Sequence, residues 1–548
     1  MKAKLIKVQN FFSGRAVDPL TSKPPHFLKF RSSTGFIVFT ICLAIFTDIL
    51  FYGLIVPVIP FSLTVQSGVP EDKVQEWTAI LLACYSATLF VGSPLAGFYA
   101  DRTTSRRLPL LFGLFALAGS TVLLCLGKTV ALLVVGRLLQ GLSAAIVWSV
   151  GLALLADTCG RNIGFAMGYV AIAMSVGLLI SPVIGGAVYA AAGYYAVYYV
   201  AFAIIAVDIL LRLVLIEKKV AKQWITDEES TPVTGEGGVA PVGNASDSEK
   251  GGGRTNLPSN DTERAPASPH DKVGADSKEN GSPILAGIEG ETQRLESSSA
   301  TQEAGNGKVV HPYLELIKSK RVLAALFGSV IQAGVMYDMF SFDTVVPLFV
   351  KDTFHWSSTS AGLIFITIMV PGFGAPLVGM LADRYGARWP SLAGFIATIP
   401  LLVCLRFVTE NTIQQKVLLS ALLVLLGATL TFTNTPLMAE ITYAIEEKEA
   451  RRPGMWGEKG VYGIGYGLFT TSFALGGTAG SLLSGYVVDA KGWGTMTWAL
   501  AIWMASGIPV VALWVGGKPS KKLELERQQQ ETGDGSRREE SESRRGAV

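Results

Sequence analysis

The sequence predicts an all-α membrane protein of twelve transmembrane helices in two six-helix parallel repeats. Three observations predict it. Only 16% of the 548 residues are charged and the mean hydropathy is +0.41, whereas roughly 25% of residues are charged in soluble domains. Apolar residues come in runs of about twenty, the length that crosses roughly 30 Å of hydrocarbon. Finally, the two halves of the chain carry the same motifs at matching places.

Taken in order, residues 1–35 form a basic arm with Lys2, Lys4, Lys7, Arg15, Lys23, Lys29 and Arg31. No signal-peptide apolar region precedes Phe36, so cleavage is not expected. Six spans starting near Phe36, Trp77, Leu108, Val130, Ile163 and Tyr194 make up residues 36–216. Residues 217–311 are mainly Gly, Ser, Asp, Glu, Pro and Asn, a composition that cannot bury a core and predicts a disordered linker. Six more spans, near Val322, Ser360, Pro390, Val417, Val461 and Trp493, fill residues 312–516, and residues 517–548 form a charged tail expected to be disordered.

Orientation follows from Lys and Arg in the short loops. Arg102, Arg106 and Arg107 follow the second span, Arg161 the fourth, Lys218 and Lys219 the sixth, Arg384 and Arg388 the eighth, and Lys448, Arg451, Arg452 and Lys459 the tenth. Both termini and the linker are therefore expected in the cytosol, where glycosylation triplets at Asn244, Asn260 and Asn280 go unused.

The repeat is direct. TDILFYGLIVP from Thr47 matches YDMFSFDTVVP from Tyr337, which pairs Asp48 with Asp338 and Pro57 with Pro347. SPLAGFYADR from Ser93 matches APLVGMLADR from Ala375. Parallel six-span repeats are a transporter plan with the substrate site at midplane between the halves.

Four motifs carry chemistry. GFYADRTTSRR, Gly97 to Arg107, combines a glycine for close helix approach, Asp101 at the membrane edge and the basic residues Arg102 and Arg106. Its partial repeat GMLADRYGAR holds Asp383 and Arg384. GRLLQGLSAA places Arg137 inside the fourth span, where it either faces a cavity or partner or snorkels to the interface. ADTCGR closes that span with Asp157 and Arg161, as a gate or as a generic helix-end pair. In the fifth span GLLISPVIGG sets Gly177, Gly185 and Gly186 for a neighbour's backbone, Pro182 for a bend, and Ser181 among them.

Over nearly all of both blocks these residues resemble the major facilitator superfamily. The resemblance implies that Gly97–Arg107 is its loop motif between spans two and three, that Asp157 pairs with loop arginines as a gate, and that Arg137 is tied to proton coupling. GLLISPVIGG is similar to the motif of the antiporter branch, with Ser181 where glycine is usual, which favours export by exchange. TDILFYGLIVPVIP resembles the first span of the vesicular amine transporters, whose aspartate falls on Asp48 and whose acid in span seven falls on Asp343.

Asp48 lies about twelve residues into its span, near midplane at about 1.5 Å per residue. A carboxyl there either binds a cation or carries a proton, or makes a structural hydrogen bond. Asp338 and Asp343 are five residues apart, about 140° around a helix, so one narrow pathway takes only one of them. The repeat favours Asp338 and the resemblance Asp343. Asp208 and Arg212, spaced i,i+4, are expected to neutralise each other, and Glu440 is ambiguous in the same way. Tyr52, Phe340, Thr431, Phe432, Asn434 and Thr470 are candidate cavity residues, with Trp148, Tyr337, Phe342 and Trp456 as further aromatics.

Other classes are excluded. Forty-six basic and 43 acidic residues leave +3, too balanced for nucleic acid. Cys42, Cys84, Cys125, Cys159 and Cys404 lack metal-ligand spacing, so neither a metal site nor a disulfide scaffold is expected. GKT at Gly127 lacks the first P-loop glycine, Val122 standing there, and GIGYG at Gly463 fails the dinucleotide pattern at Leu468. No cofactor and no enzyme activity are expected. The expected function is proton-coupled export of small amphipathic organic molecules, drugs or secondary metabolites, by a monomer in the plasma membrane, with substrate, protons and the lipid bilayer as partners. An uptake carrier or uniporter, or a sensor of the same fold, is the alternative.

Overall fold

The computed structural model describes residues 25–55, 63–64, 67–103, 105–222, 224, 312–336, 346, 349–350, 353–356, 363–457 and 460–516. Within them helices stand at all twelve expected places, without a strand. The first block is α1 (Thr34–Ile55), α2 (Val74–Arg102), α3 (Arg107–Leu126), α4 (Val130–Cys159), α5 (Ile163–Ala192) and α6 (Tyr194–Val214). The second is α7 (Lys320–Met336), α8, α9 (Arg388–Cys404), α10 (Ile413–Arg451), α11 (Tyr462–Lys491) and α12 (Trp493–Trp514). In α8 a 3-10 stretch, Val370–Gly374, separates Phe365–Met369 from Ala375–Tyr385. Pro371 lies in that stretch and lacks the N–H that a regular helix would use.

Nine stretches of the described residues are long and apolar enough to cross a membrane, one of which, Val130–Tyr189, runs through α4 and α5. α7, with 17 described residues, and α11, whose Gly, Ser and Thr dilute its apolar content, complete the twelve. The repeat extends to helix ends. Gly193 before α6 and Gly492 before α12 both take positive φ, 80° and 78°, a conformation glycine reaches without a Cβ clash.

Within the first block α1 packs on α5, α2 on α4, and α3 on α4 and α6; in the second, α7 packs on α11 and α12, and α9 on α10 and α12. Between the blocks the main contacts are α2 with α11 and α5 with α8. The repeat exchanges these two pairs, so one contact occurs twice. α4 also meets α11, and α5 meets α10, which places a shared centre among α1, α2, α4, α5, α10 and α11.

Most of the expected linker, and the arm and tail through residues 1–24 and 517–548, lie outside the described residues. At the linker's first position the structure departs from the compositional boundary. Glu217 is buried and accepts hydrogen bonds from Ser105 Oγ (2.6 Å) and Arg107 N (2.9 Å), and a helical turn, Lys218–Ala221, follows. Apolar clustering does not register a single buried carboxylate.

The α5 motif packs against α1, with one correction. A Cβ on Gly177 would lie 3.1 Å from Ile49 Cγ2, and one on Gly185 would lie 2.7 Å from the Leu54 carbonyl oxygen. Gly186 meets nothing within 4 Å, because one residue further around the helix it turns away from α1 and is exposed. The two neighbours therefore differ in sign. Gly186→Ala should raise the melting temperature in detergent, through a helix preference of about 0.5–1 kcal/mol. Gly185→Ala should lower it, through an overpacking cost of about 1–3 kcal/mol. Equal effects would contradict the α1–α5 contact.

Candidate functional site

Asp48, two turns before the end of α1, is almost wholly buried, at 1% exposure. Its Oδ2 accepts from Trp148 Nε1 of α4 at 3.1 Å, the Tyr85 hydroxyl also acts on the carboxyl, and among the described residues Oδ1 has no partner of hydrogen-bond geometry. Among the described residues no ion pair involves it. Arg212, whose field reaches it, is taken by Asp208 through two bonds of 3.0 and 2.7 Å and by the Leu110 carbonyl at 2.5 Å. The expected internal pairing of Asp208 with Arg212 is thus what α6 shows.

Around Asp48 lies a cavity of about 30 Å3, lined by Ile49 and Tyr52 of α1, Tyr85, Ser86 and Leu89 of α2, Trp148 of α4, and Thr470, Phe473 and Ala474 of α11. The rings of Tyr52 and Tyr85 are 4.8 Å apart. A second cavity of about 10 Å3 shares Trp148, Thr470 and Phe473 and adds Met174, Asn434, Met438 and Phe469. The two hold little more than a water molecule, against roughly 300–1,000 Å3 for a drug-sized ligand.

Arg137 is fully buried rather than snorkelled. Its Nη1 donates to Gln140 Oε1 at 2.8 Å, its guanidinium lies 5.7 Å from the centre of the Tyr52 ring, and its Nε and Nη2 have no hydrogen-bond partner. Tyr52 therefore stands in both environments, in the wall beside Asp48 and over Arg137. A guanidinium with one hydrogen bond and no carboxylate is costly to bury.

The end of the bundle that bears the basic loops is closed by two matching contacts. Asp101, at the end of α2, accepts from the backbone N–H groups of Gly463 (2.9 Å) and Ile464 (2.7 Å) in the first turn of α11. Asp383 of α8 accepts from Gly164 and Phe165, both at 2.8 Å, in the first turn of α5. Each carboxylate meets unpaired N–H groups at the positive end of a helix dipole. Glycines permit the approach: a Cβ on Gly97 would lie 2.1 Å from the Gly463 oxygen, and one on Gly379 2.0 Å from the Gly164 oxygen.

Arg106 joins Asp101 (2.7 Å) to Asp157 (3.1 Å), and Lys219 reaches Asp157 at 2.8 Å. Burial alone would lower the Arg106 pKa, but Asp101 and Asp157 outweigh it and hold the guanidinium above its ordinary value. The other motif cations stand outside this knot. Arg102 lies 4.0 Å over the Phe98 ring and Arg384 5.4 Å from the Tyr385 ring. Arg161 is exposed, within electrostatic reach of Glu446 on α10.

The structure therefore brings Asp48, Tyr52, Trp148, Thr470 and Asn434 together. Thr431 is buried but bonds its own helix at the Gly427 oxygen (2.8 Å), Phe432 lines neither cavity, and Ser181 bonds the Leu178 oxygen at 3.3 Å. Trp456 sits in the loop after α10 and donates to the Ile445 oxygen (3.3 Å). Tyr337, Asp338, Phe340, Phe342 and Asp343 lie outside the described residues, as does the Pro182 side chain. Tyr85, Phe473 and Gln332 were missed. Gln332 was readable as an amide inside an apolar run, whereas Tyr85 and Phe473 carry no signal until the helices are placed. Glu440 pairs with Arg321, whose Nη2 donates to it at 2.9 Å, and accepts from Gly516 N at 2.7 Å.

Compared with known proteins, the chain matches the family model of the Major Facilitator Superfamily over residues 41–452 and 328–541. It is 32% identical over 467 residues to an uncharacterised MFS-type transporter, C18.02, of Schizosaccharomyces pombe, covering 84% of this chain and 91% of that one. Multidrug resistance protein 1 of Bacillus subtilis is 34% identical over 145 residues, 26% of this chain and 35% of that one. Among solved structures, the human organic anion transporter MFSD10 (TETRAN) superposes with a TM-score of 0.57 at 14% identity, over 87% of this chain and 99% of that one, a likeness of fold.

The closed end yields a prediction. Cys159, half-buried at the end of α4, lies within the field of Asp383 and Lys218. Asp383→Asn keeps one acceptor where two N–H groups need two, a loss of about 1.5 kcal/mol or more. In a variant whose other cysteines are alanine, it should speed alkylation of Cys159 about tenfold, the population shift that energy gives. An unchanged rate would show that the contact does not hold this end shut.

Proposed function

The chain belongs to the major facilitator superfamily, and from that premise we propose that it exports small amphipathic organic cations in exchange for protons. As a member it is a multi-pass membrane transporter rather than an enzyme. Asp48 carries the proposal: it is a buried carboxyl with one unbonded oxygen, walled by aromatic rings in a cavity between the two halves. Such a group is stable either with a proton or with a cation beside it, and not empty-handed in low dielectric. Proton and substrate therefore compete for one site, and alternating access turns that competition into exchange.

Three features support export. GLLISPVIGG lies along α1 beside Asp48, with Gly177 against Ile49. One relative is named a multidrug resistance protein. The end with the basic loops is held closed by both carboxylate contacts, the arrangement in which an exporter faces outward to release its substrate. Arg137, behind Tyr52, biases the local charge when Asp48 changes state. Asp343, with Asp338 as its alternative, is the second pathway acid in this reading, the plasma membrane the site of action and a monomer the working unit.

The test is flux in proteoliposomes. With a pH gradient imposed, the parent protein should move a fluorescent organic cation and dissipate the gradient as it does so. Asp48→Asn should abolish gradient-driven movement, a loss of at least about a hundredfold, and weaken cation binding with it, because the neutral amide mimics the protonated state that excludes the cation. Full gradient-driven flux in Asp48→Asn would overturn the proposal.

A further inference from the structure

We propose that Asn434 is a second recognition point of this pathway, and that the substrate is an organic cation with a flat body whose far end offers a carbonyl-type hydrogen-bond acceptor to the Asn434 amide. The inference rests on the carrier reading above and adds what the C-terminal half contributes.

Asn434 lies on α10, across the centre from Asp48, and is 1% exposed. Its orientation is fixed by α7: Gln332 Nε2 donates to Asn434 Oδ1 at 3.0 Å, while Gln332 Oε1 faces the Thr433 hydroxyl at 3.4 Å. That leaves Asn434 Nδ2 as a buried donor without a partner among the described residues, in a residue that lines the second cavity. Buried amide N–H groups are almost always bonded, so an unmatched one beside a cavity is a place for an acceptor.

The other walls do not compete for that acceptor. Thr470 spends its hydroxyl on the Tyr466 oxygen of its own helix at 2.9 Å, and Trp148 spends its N–H on Asp48. Met174, Met438, Phe469 and Phe473 are apolar. The two cavities share Trp148, Thr470 and Phe473, so a single molecule passing between them runs along aromatic faces, with a bare carboxylate oxygen at one end and a bare amide donor at the other. One anchor belongs to each half of the protein. A substrate that satisfies both ties the halves together, whereas a cation without the acceptor engages the N-terminal half alone.

The experiment uses the full chain in lipid nanodiscs and phenylalkyl trimethylammonium ions of three chain lengths, each made with a ketone, a secondary alcohol or a methylene beside the ring. Their charge does not titrate, so affinity differences report the neutral group. At one or more lengths the ketone should bind about tenfold tighter than the methylene compound, as expected for one buried hydrogen bond that rescues an unmatched donor. In Asn434→Leu the ketone and the methylene compound should bind alike, and measurable binding of the methylene compound shows that the variant is folded. Equal ketone and methylene affinities in the parent at every length would overturn the inference without reference to any variant. So would a ketone preference that survives in Asn434→Leu, or an alcohol that outbinds the ketone. Failure of all the cations to bind would instead contradict the carrier reading, and the inference with it.

Discussion

One oxygen of Asp48 has no hydrogen-bond partner among the described residues, and the rest of the structure can be understood from that. The other buried acids are matched: Asp208 by Arg212, Glu440 by Arg321 and Gly516, Asp101 by two N–H groups and Arg106, and Glu217 by Ser105 and the Arg107 N–H, while the half-buried Asp383 meets two N–H groups and Tyr443. Among the described residues only Asp48 is an acid with a buried, unpartnered oxygen. Leaving such an oxygen unmatched costs free energy that folding does not recover, which is the observation the proposed exchange at Asp48 rests on.

Asp101 and Asp383 each fasten one half's loop motif to the first turn of a helix in the other half. The two contacts are alike in geometry because the sequence repeat places the same Gly and Asp at the same helical positions. Since each depends on bare N–H groups at a helix start, either can be released without tearing a helix apart, as a gate requires. With both in place, the cavity at Asp48 measures about 30 Å3, far below the roughly 300–1,000 Å3 of a drug-sized site.

Much of this was legible in the sequence. Twelve apolar runs become twelve helices because lipid leaves the backbone no other way to bond itself. Asp48 and Arg137 stood out because charge inside an apolar run is rare, and both prove buried. Tyr52, Thr470 and Asn434 do reach the cavities, whereas Thr431 and Phe432 line neither: Phe432, two residues before Asn434, sits on another face of α10, and Thr431, three residues before it, turns its hydroxyl to the Gly427 oxygen of its own helix. The partners were not legible. Trp148 meets Asp48 across 100 positions and Gln332 meets Asn434 across 102, and only the crossing of helices decides such pairs. The same holds for Asp101, which reads as an edge charge until α11 is set beside it. Gly186 shows the limit of motif reading, because its neighbour Gly185 makes the contact that the pattern assigned to both.

The central claim is that a proton and an organic cation exclude each other at Asp48. Proton release on binding tests it most directly. Calorimetric titration of a quaternary ammonium substrate into the purified protein, repeated in buffers of different ionisation enthalpy and scanned over pH, counts the protons displaced. This account predicts a maximum of about one proton released per cation bound in the parent protein, and none in Asp48→Asn. Binding with no proton released at any pH, or release that persists unchanged in Asp48→Asn, would contradict it.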